Sequence, residues 1–338
     1  MDIENINIKK YIVHILDKNS EIPILSDDEH PLNEEINAFI EKHIIKIFKD
    51  KGLKNAYFKD SSEMKNDSTI LKNDLNAFTD ISIKIGEKLF NIIRNFDDIP
   101  SCDLVCVVFN ANNEDYLGIL KFNYKPSFVH YVKADETKKV NTIIKQLTTL
   151  PNESQKINEC ALINLNDKTL KVLERKYDID GEKKFYLSDI FLDCHCETSD
   201  KDKIKSFNKA NKTFNKKYFD EEFKNSADIK LAVKDSIEKE GTINIEKVCD
   251  DAFKENPEMK KIYKDHLKES GIEKKNIEIN NKEYGEKVYN KQKIKTDNGI
   301  EIKLPRDFYK DKGKLEFVNN PDGTVSIIIK NIGKLIDK

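Results

Sequence analysis

The stretch KDKIKSFNKANKTFNKKYF, residues 201–219, sets seven lysines against the single acid Asp202, in a chain whose formal net charge is −2. The lysines are Lys201, Lys203, Lys205, Lys209, Lys212, Lys216 and Lys217. Each is an ammonium point charge, suited to phosphate oxygens. The spacing gives the pattern a geometry. Ile204, Phe207, Phe214 and Tyr218 recur at helical spacing and predict one apolar stripe. Lys205, Lys209, Lys212 and Lys216 fall at i, i+4, i+7 and i+11, a second stripe about 100° round the helix. At 1.5 Å per residue the lysine row is roughly 16 Å long, a cation track for a phosphate backbone. The same pattern also fits the solvated face of a helix in a lysine-rich protein.

Two further segments are locally positive. Lys282 to Lys295 carries Lys282, Lys287, Lys291, Lys293 and Lys295 against Glu283 and Glu286, with Tyr284 and Tyr289 interleaved. Lys303 to Lys314 carries Lys303, Arg306, Lys310, Lys312 and Lys314 against Asp307 and Asp311. Of the 59 basic residues, only Arg94, Arg175 and Arg306 are arginines. Bidentate reading of guanine favours arginine, so nucleic-acid binding here would rest on backbone charge and shape, with weak sequence preference. At pI ≈ 6.4 the whole-molecule field is weak, and binding needs a local patch.

Other chemistries find little support. The chain has no Gly-rich phosphate loop, no GxSxG elbow and no HExxH pair. His14, His30, His43, His130, His195 and His266 are scattered, with His43 on the polar side of an expected helix. Cys194-His195-Cys196 lacks the second ligand pair of a zinc site. Glu136-Thr137-Lys138 downstream of Asp103 loosely mimics a nuclease pattern, as a chain rich in Asp, Glu and Lys does by chance. Cys102 and Cys106, in the apolar run CDLVCVVF, read as buried small hydrophobes. The residues give no catalytic constellation, no metal site and no cofactor.

The elements that must position the lysines follow from periodicity. A length of 338 residues with 38% hydrophobic and 36% charged residues predicts more than one domain with a solvated surface. The six cysteines have no framework spacing, which points to a reducing compartment. With neither a signal sequence nor a long apolar run, a soluble intracellular protein is expected. Residues 6–25 read as a hairpin, followed by a helix from Asn33 to Lys49 and a polar irregular stretch over 55–67. A long amphipathic helix runs from Thr69 to Arg94, with Gly86 a candidate bend. Strands follow over 103–110, 116–124, 128–133, 157–164, 170–175 and 184–187. After Ser188 come helices: the lysine helix, then 226–240, 245–254 and 257–270, the last with Pro257 at its start and Gly271 at its stop. The tail is charged, then β, with a turn at Asn320-Pro321-Asp322-Gly323. The expected class is α+β, an N-terminal mainly antiparallel sheet packed by two long helices. Its expected divisions are 1–198, a helical lysine-rich region over 199–276, and a charged linker with a C-terminal β segment over 277–338.

Several pieces in order carry a resemblance: IKKYIVHILD (8–17), SIKIGEKLF (82–90), PSCDLVCVVF (100–109), YLGILKFNY (116–124), NECALINL (158–165), YLSDIFLDC (186–194), GIEIKLP (299–305) and VNNPDGTVSIIIKNI (318–332). Together they resemble the bacterial 37-kDa nucleoid-associated proteins, the NdpA or YejK-like family. The resemblance implies a non-enzymatic protein of the cytoplasmic nucleoid that binds double-stranded DNA. Site residues come from charge geometry instead: Lys201, Lys205, Lys209, Lys212, Lys216 and Lys217 in the helix, and Lys287, Lys291, Lys293 and Lys295 downstream. The apolar ridge SIIIKNI needs cover, and a homodimer would supply it. The competing expectation is an interaction adaptor, in nucleoid organisation or phage defence, that does not touch DNA.

Overall fold

The computed structural model describes residues 6–134, 139–219, 223–254, 256–305, 308, 311 and 313–334. They fall into two compact units, Met1–Ser199 and Asp200–Lys338. The first unit opens with β1 (Ile6–Leu16), α1 (Glu34–Phe48), β2 (Lys54–Phe58), α2 (Glu63–Asn73) and α3 (Phe78–Asn95). It continues through β3 (Cys102–Ala111), β4 (Glu114–Asn123), β5 (Lys125–Ala134), β6 (Lys139–Thr149), β7 (Glu159–Asn164) and β8 (Thr169–Leu173). A small ribbon of β9 (Tyr177–Ile179) and β10 (Glu182–Lys184), a π-helical turn Leu187–Leu192 and β11 (Cys194–Cys196) complete it.

Seven strands form one sheet in the order β1-β3-β4-β7-β8-β2-β11. Every neighbouring pair is antiparallel. Successive side chains of a strand point to opposite faces. On β3, Leu104, Cys106 and Val108 join Ile12, Ile119 and Ile163 against Ile81, Ile85 and Leu89 of α3. Val105, Val107 and Phe109 join Tyr11, Leu120 and Leu162 against Ile40, Ile44 and Ile47 of α1. Helices cover both faces, which is why CDLVCVVF reads as a continuous apolar run without alternation. The β3–β4 turn uses Asn112 and Asn113 with φ of 51° and 65°, the left-handed conformation that tight hairpins require.

The α+β class and its antiparallel sheet stand as expected, and several local expectations do not. Residues 21–25 make no strand: one bridge joins Ile15 to Ile24, while the main ladder of β1 runs to β3. The stretch over 55–67 is not irregular: residues 55–58 lie in β2 and pair with β8 and β11, remote in sequence, and residues 63–67 open α2. The helix from Thr69 to Arg94 is two helices. Asp74 between them is extended (φ −141°, ψ 104°), and its carboxylate accepts the Asn76 N–H at 2.9 Å. Gly86 lies inside α3 without interrupting it, and its bare Cα admits Leu25, whose Cδ2 would lie 2.8 Å from an added Cβ. His43 is buried, not polar-facing, between the rings of Phe39 and Phe122 at 4.7 and 5.1 Å. Strand β6 lies within a stretch where no strand is expected, and residues 187–192 form the π-helical turn.

The second unit contains α4 (Asp200–Phe219), α5 (Phe223–Glu240), β12 (Thr242–Asn244), α6 (Ile245–Ala252), α7 (Pro257–Glu269), β13 (Asn276–Glu278) and α8 (Lys282–Tyr289). Asn256 caps α7 by accepting the Met259 N–H, with Pro257 in its first turn. The core of this unit gathers Ile204, Phe207 and Phe214 of α4 with Val233, Ile237, Val248, Tyr263, Leu267 and Tyr289. Two ribbons follow: β14 (Lys291–Lys295) with β15 (Glu301–Pro305), and β16 (Leu315–Asn319) with β17 (Val325–Ile329). Asn320 to Gly323 turns the last ribbon, with Gly323 at φ 83°.

Candidate nucleic-acid interface

Helix α4 is held by its apolar stripe. Ile204, Phe207, Ala210 and Phe214 are buried, and the Phe214 ring lies 4.8 Å from Tyr263 and 5.9 Å from Phe253. Polar bonds fix its rotation. The Tyr263 hydroxyl donates to Asn211 Oδ1 at 2.5 Å, and the Tyr289 hydroxyl donates to Asn208 Oδ1 at 2.8 Å. The Nε2–H of His266 donates to the Ala210 carbonyl at 3.0 Å. A helix tied along one side has its opposite face set in advance.

That face carries the lysines. Lys201, Lys205, Lys209, Lys212, Lys216 and Lys217 are all exposed. Among the described residues, no carboxylate forms an ion pair with Lys205, Lys209, Lys212 or Lys216. Lys203 is different: it lies 3.5 Å from Asp200 and donates to the Glu278 carbonyl at 2.9 Å. Asp200 is buried and also accepts the Asn281 N–H at 2.7 Å, so one of the helix's two acids is engaged in structure. Acids in the first turn and lysines in the last also suit the helix dipole, which accounts for part of the pattern without any ligand. Lys217 lies 5.1 Å over the Tyr218 ring, and its hydrogen bond to Tyr218 raises its pKa.

A hydrogen bond ties the second basic segment to the first. The Tyr289–Asn208 bond ties the end of α8 to the middle of α4, one residue before Lys209, and the chain passes from there into β14. Lys287 and Lys295 are exposed. The register sets Lys293 opposite Lys303, Lys295 opposite Glu301 and Lys291 opposite Pro305. The juxtaposition of Lys293 with Lys303 escapes sequence reading because it depends on a ribbon whose first strand is masked by charge. Tyr284 and Tyr289 are packing residues of the helical core, with Tyr289 buried, rather than a platform for bases. In the third segment Arg306, Lys310 and Lys312 lie outside the described residues. Lys314 pairs with Asp311 at 3.4 Å and lies 4.7 Å over the Phe308 ring.

Cys194 is buried and Cys196 half-buried on β11, with His195 opposite Tyr57 of β2. Among the described residues no three His, Cys, Asp or Glu side chains are grouped to hold a metal ion. Glu136, Thr137 and Lys138 lie outside the described residues. No helix among the described residues is long and apolar enough to cross a membrane.

Fold and site together define an α+β protein whose concentrated charge lies along a helix face rather than in a cleft. A family model described as nucleoid-associated protein YejK matches residues 12–336, nearly the whole chain, and the chain belongs to that family. No curated protein matches it. The family places the protein among nucleoid-associated proteins.

Proposed function

We propose that the protein binds double-stranded DNA, without catalysis, through backbone phosphates and with weak sequence preference. The observation that carries this reading is the exposed row Lys205, Lys209, Lys212 and Lys216, to which no carboxylate among the described residues is paired, on a helix whose opposite face is locked into a core. To this row the proposed DNA-binding set adds Lys201 and Lys217 of the same helix, and Lys287, Lys291, Lys293 and Lys295 of the downstream segment. Ammonium groups on such a track displace condensed counterions, so the main driving force is electrostatic. The functional unit is a homodimer, a reading supported by exposed apolar side chains on β17, where Val325, Ile328 and Ile329 are at least 41% exposed. The protein is assigned to the cytoplasmic nucleoid.

A salt titration with mixed-sequence duplex tests the reading. Four engaged lysines give a slope of log K against log[salt] near −3.6, or roughly a hundredfold loss between 50 and 200 mM salt. Replacing Lys205, Lys209, Lys212 and Lys216 by Gln should remove most of that slope and leave the circular dichroism melt unchanged, since these are surface positions. Binding that is undetectable at low salt, or indifferent to salt, rejects the proposal in favour of the adaptor. Undiminished binding by the variant moves the site to the β14–β15 ribbon.

A further inference from the structure

All six cysteines are free thiols, and two of them share one short strand. Strand β11 lies at the edge of the seven-stranded sheet and pairs with β2, setting Cys194 opposite Phe58, His195 opposite Tyr57 and Cys196 opposite Ala56. Residues two apart on a strand point to the same face. Cys194 is buried in the core beneath α3, Cys196 packs half-buried against that core, and His195 between them is exposed. The two sulfurs are in contact, with the Cys194 thiol donating a hydrogen bond to the Cys196 sulfur.

The surroundings single out Cys196. The hydrogen bond from Cys194, the Lys54 ammonium and a hydrogen bond with Ser188 together hold its thiol below the ordinary pKa, against burial and the Glu174 charge. The other cysteines go the opposite way. Sharing its proton with Cys196 moves Cys194 upward, and burial pushes Cys102 and Cys249 up to about 12 and raises Cys106 and Cys160 as well. Since the thiolate is the nucleophile, Cys196 is the cysteine placed and charged to react. The segment leading into the pair departs from regular backbone. Ser188 sits on the π-helical turn, and Asp193 takes φ 50° and ψ 65°, a left-handed conformation uncommon for a residue with a Cβ. Lys59 pins it from both ends, with its Nζ 2.8 Å from the Asp193 carboxylate and its N–H donating to the Asp193 carbonyl at 3.0 Å. π-turns and left-handed residues of this kind concentrate where a segment does more than pack.

We infer that Cys194 and Cys196 form a reversible thiol-oxidation site whose oxidant is a hydroperoxide, and that closing their disulfide releases β11 from the sheet edge. The Cys196 thiolate attacks a peroxide oxygen and the O–O bond breaks. Cys196 becomes a sulfenic acid, and the other oxygen leaves as water or an alcohol after taking up a proton. The Cys194 sulfur then displaces hydroxide from Cys196, and the Cys194 proton leaves with it as water. Two thiols and one hydroperoxide thus give one disulfide, one water, and a second water or an alcohol. The product does not fit the strand. At about 3.3–3.4 Å per residue, Cα atoms two apart lie about 6.6–6.8 Å from each other, the upper limit for a disulfide, whose commonest span is about 5.5–6 Å. Bond formation therefore shortens β11 and pulls its backbone off the β2 ladder, and the resulting strain makes the disulfide easy to reduce. The site is separate from the DNA-binding reading and does not depend on it.

The test is to treat the full chain with a small excess of hydrogen peroxide near neutral pH, alkylate it, and map the cysteines by mass spectrometry. The wild type should lose two hydrogens, both from the peptide holding Cys194 and Cys196, and regain them with dithiothreitol. This measurement needs no variant, so it stands whether or not a substitution disturbs folding. Cys194→Ser should stop at a Cys196 sulfenic acid that dimedone traps, whereas Cys196→Ser should leave Cys194 reduced. That division of roles is not expected of two thiols that are merely adjacent. Amide exchange over residues 55–58 and 194–196 should quicken by about tenfold or more on oxidation and return on reduction. A pair that stays reduced, a Cys196→Ser variant whose Cys194 oxidises as fast as wild type, or earlier oxidation of Cys102, Cys106, Cys160 or Cys249 overturns the site. A disulfide that forms without faster exchange in β2 and β11 overturns the release of the strand.

Discussion

Glu159 on β7 has no solvent exposure, and four donors converge on its carboxylate: Lys121 at 3.2 Å, Asn123 at 2.8 Å, and the hydroxyls of Tyr177 and Tyr186 at 2.6 Å each. Burial pushes this carboxyl upward, but the Lys121 charge and the hydrogen bonds outweigh it and hold the group below its ordinary pKa. Glu159→Gln therefore leaves a buried ammonium without a counter-charge. It should cost about 3–5 kcal/mol in urea unfolding, and Glu159→Gln with Lys121→Met should recover most of that loss. A single variant within about 0.5 kcal/mol of wild type would show that the charge pair is not what matters. Two buried histidines set the acid limit. Burial lowers the pKa of His14 and of His43 to about 4, from 6.5 in an unfolded chain. His14 is held neutral: its Nδ1 accepts the Ser26 N–H at 3.1 Å and its Nε2–H donates to Ser82 Oγ at 3.1 Å. Between pH 6.5 and 4 the unfolded chain binds more protons than the folded one. Stability is thus full above pH 6.5 and falls by about 3 kcal/mol per histidine as the pH drops to 4. Unfolding free energies measured from pH 8 to 4 should show this, and His43→Leu should remove one histidine's share of the slope.

At the scale of elements, the tightest requirement is in the middle of the sheet. Gly118 on β4 stands opposite Val107 of β3 and Leu162 of β7, and an added Cβ would lie 2.8 Å from Val107 Cγ1 and 3.3 Å from Phe109 Cε1. Val107 is β-branched and buried, so it cannot swing aside. Gly118→Ala should lower stability by about 1–3 kcal/mol in denaturant titration, although alanine suits most strands better than glycine. The elements legible from sequence are those whose signals are local. The two-sided burial of β3, the Asn256-Pro257 start of α7 and the Asn320–Gly323 turn depend on neighbours in the chain. Those that escaped depend on partners far away. KNAYF and CHC look featureless until β2 and β11 pair, and His43 reads as polar until Phe122 lies against it. Apolar spacing from Leu71 to Leu75 runs straight through the break that Asp74 makes. For the candidate site the same division holds. Both stripes of α4 lie on one helix and are visible at once, whereas the meeting of α8 with α4 needs Tyr289 to reach Asn208, 81 residues earlier.

At the scale of the whole molecule, each hydrophobic cluster draws its residues from one unit only. Two lie within the first unit, and the cluster of Ile204 to Tyr289 lies within the second. Residues 200–338 should therefore fold alone and carry the lysines proposed to bind DNA. The proposed homodimer predicts how affinity depends on DNA length. On a duplex too short for two copies, the 200–338 fragment and the full chain should bind alike and share the slope near −3.6. On DNA of a few hundred base pairs, a dimer engages two tracks at once, and the second event is governed by effective concentration. The full chain should then bind about 10²-fold or more tightly than the fragment, with a salt slope approaching twice the fragment's. Anisotropy on the short duplex and gel shift on the long one provide the measurements. If fragment and full chain bind long DNA equally, the second copy contributes no avidity, and the dimer must serve some purpose other than holding two DNA segments.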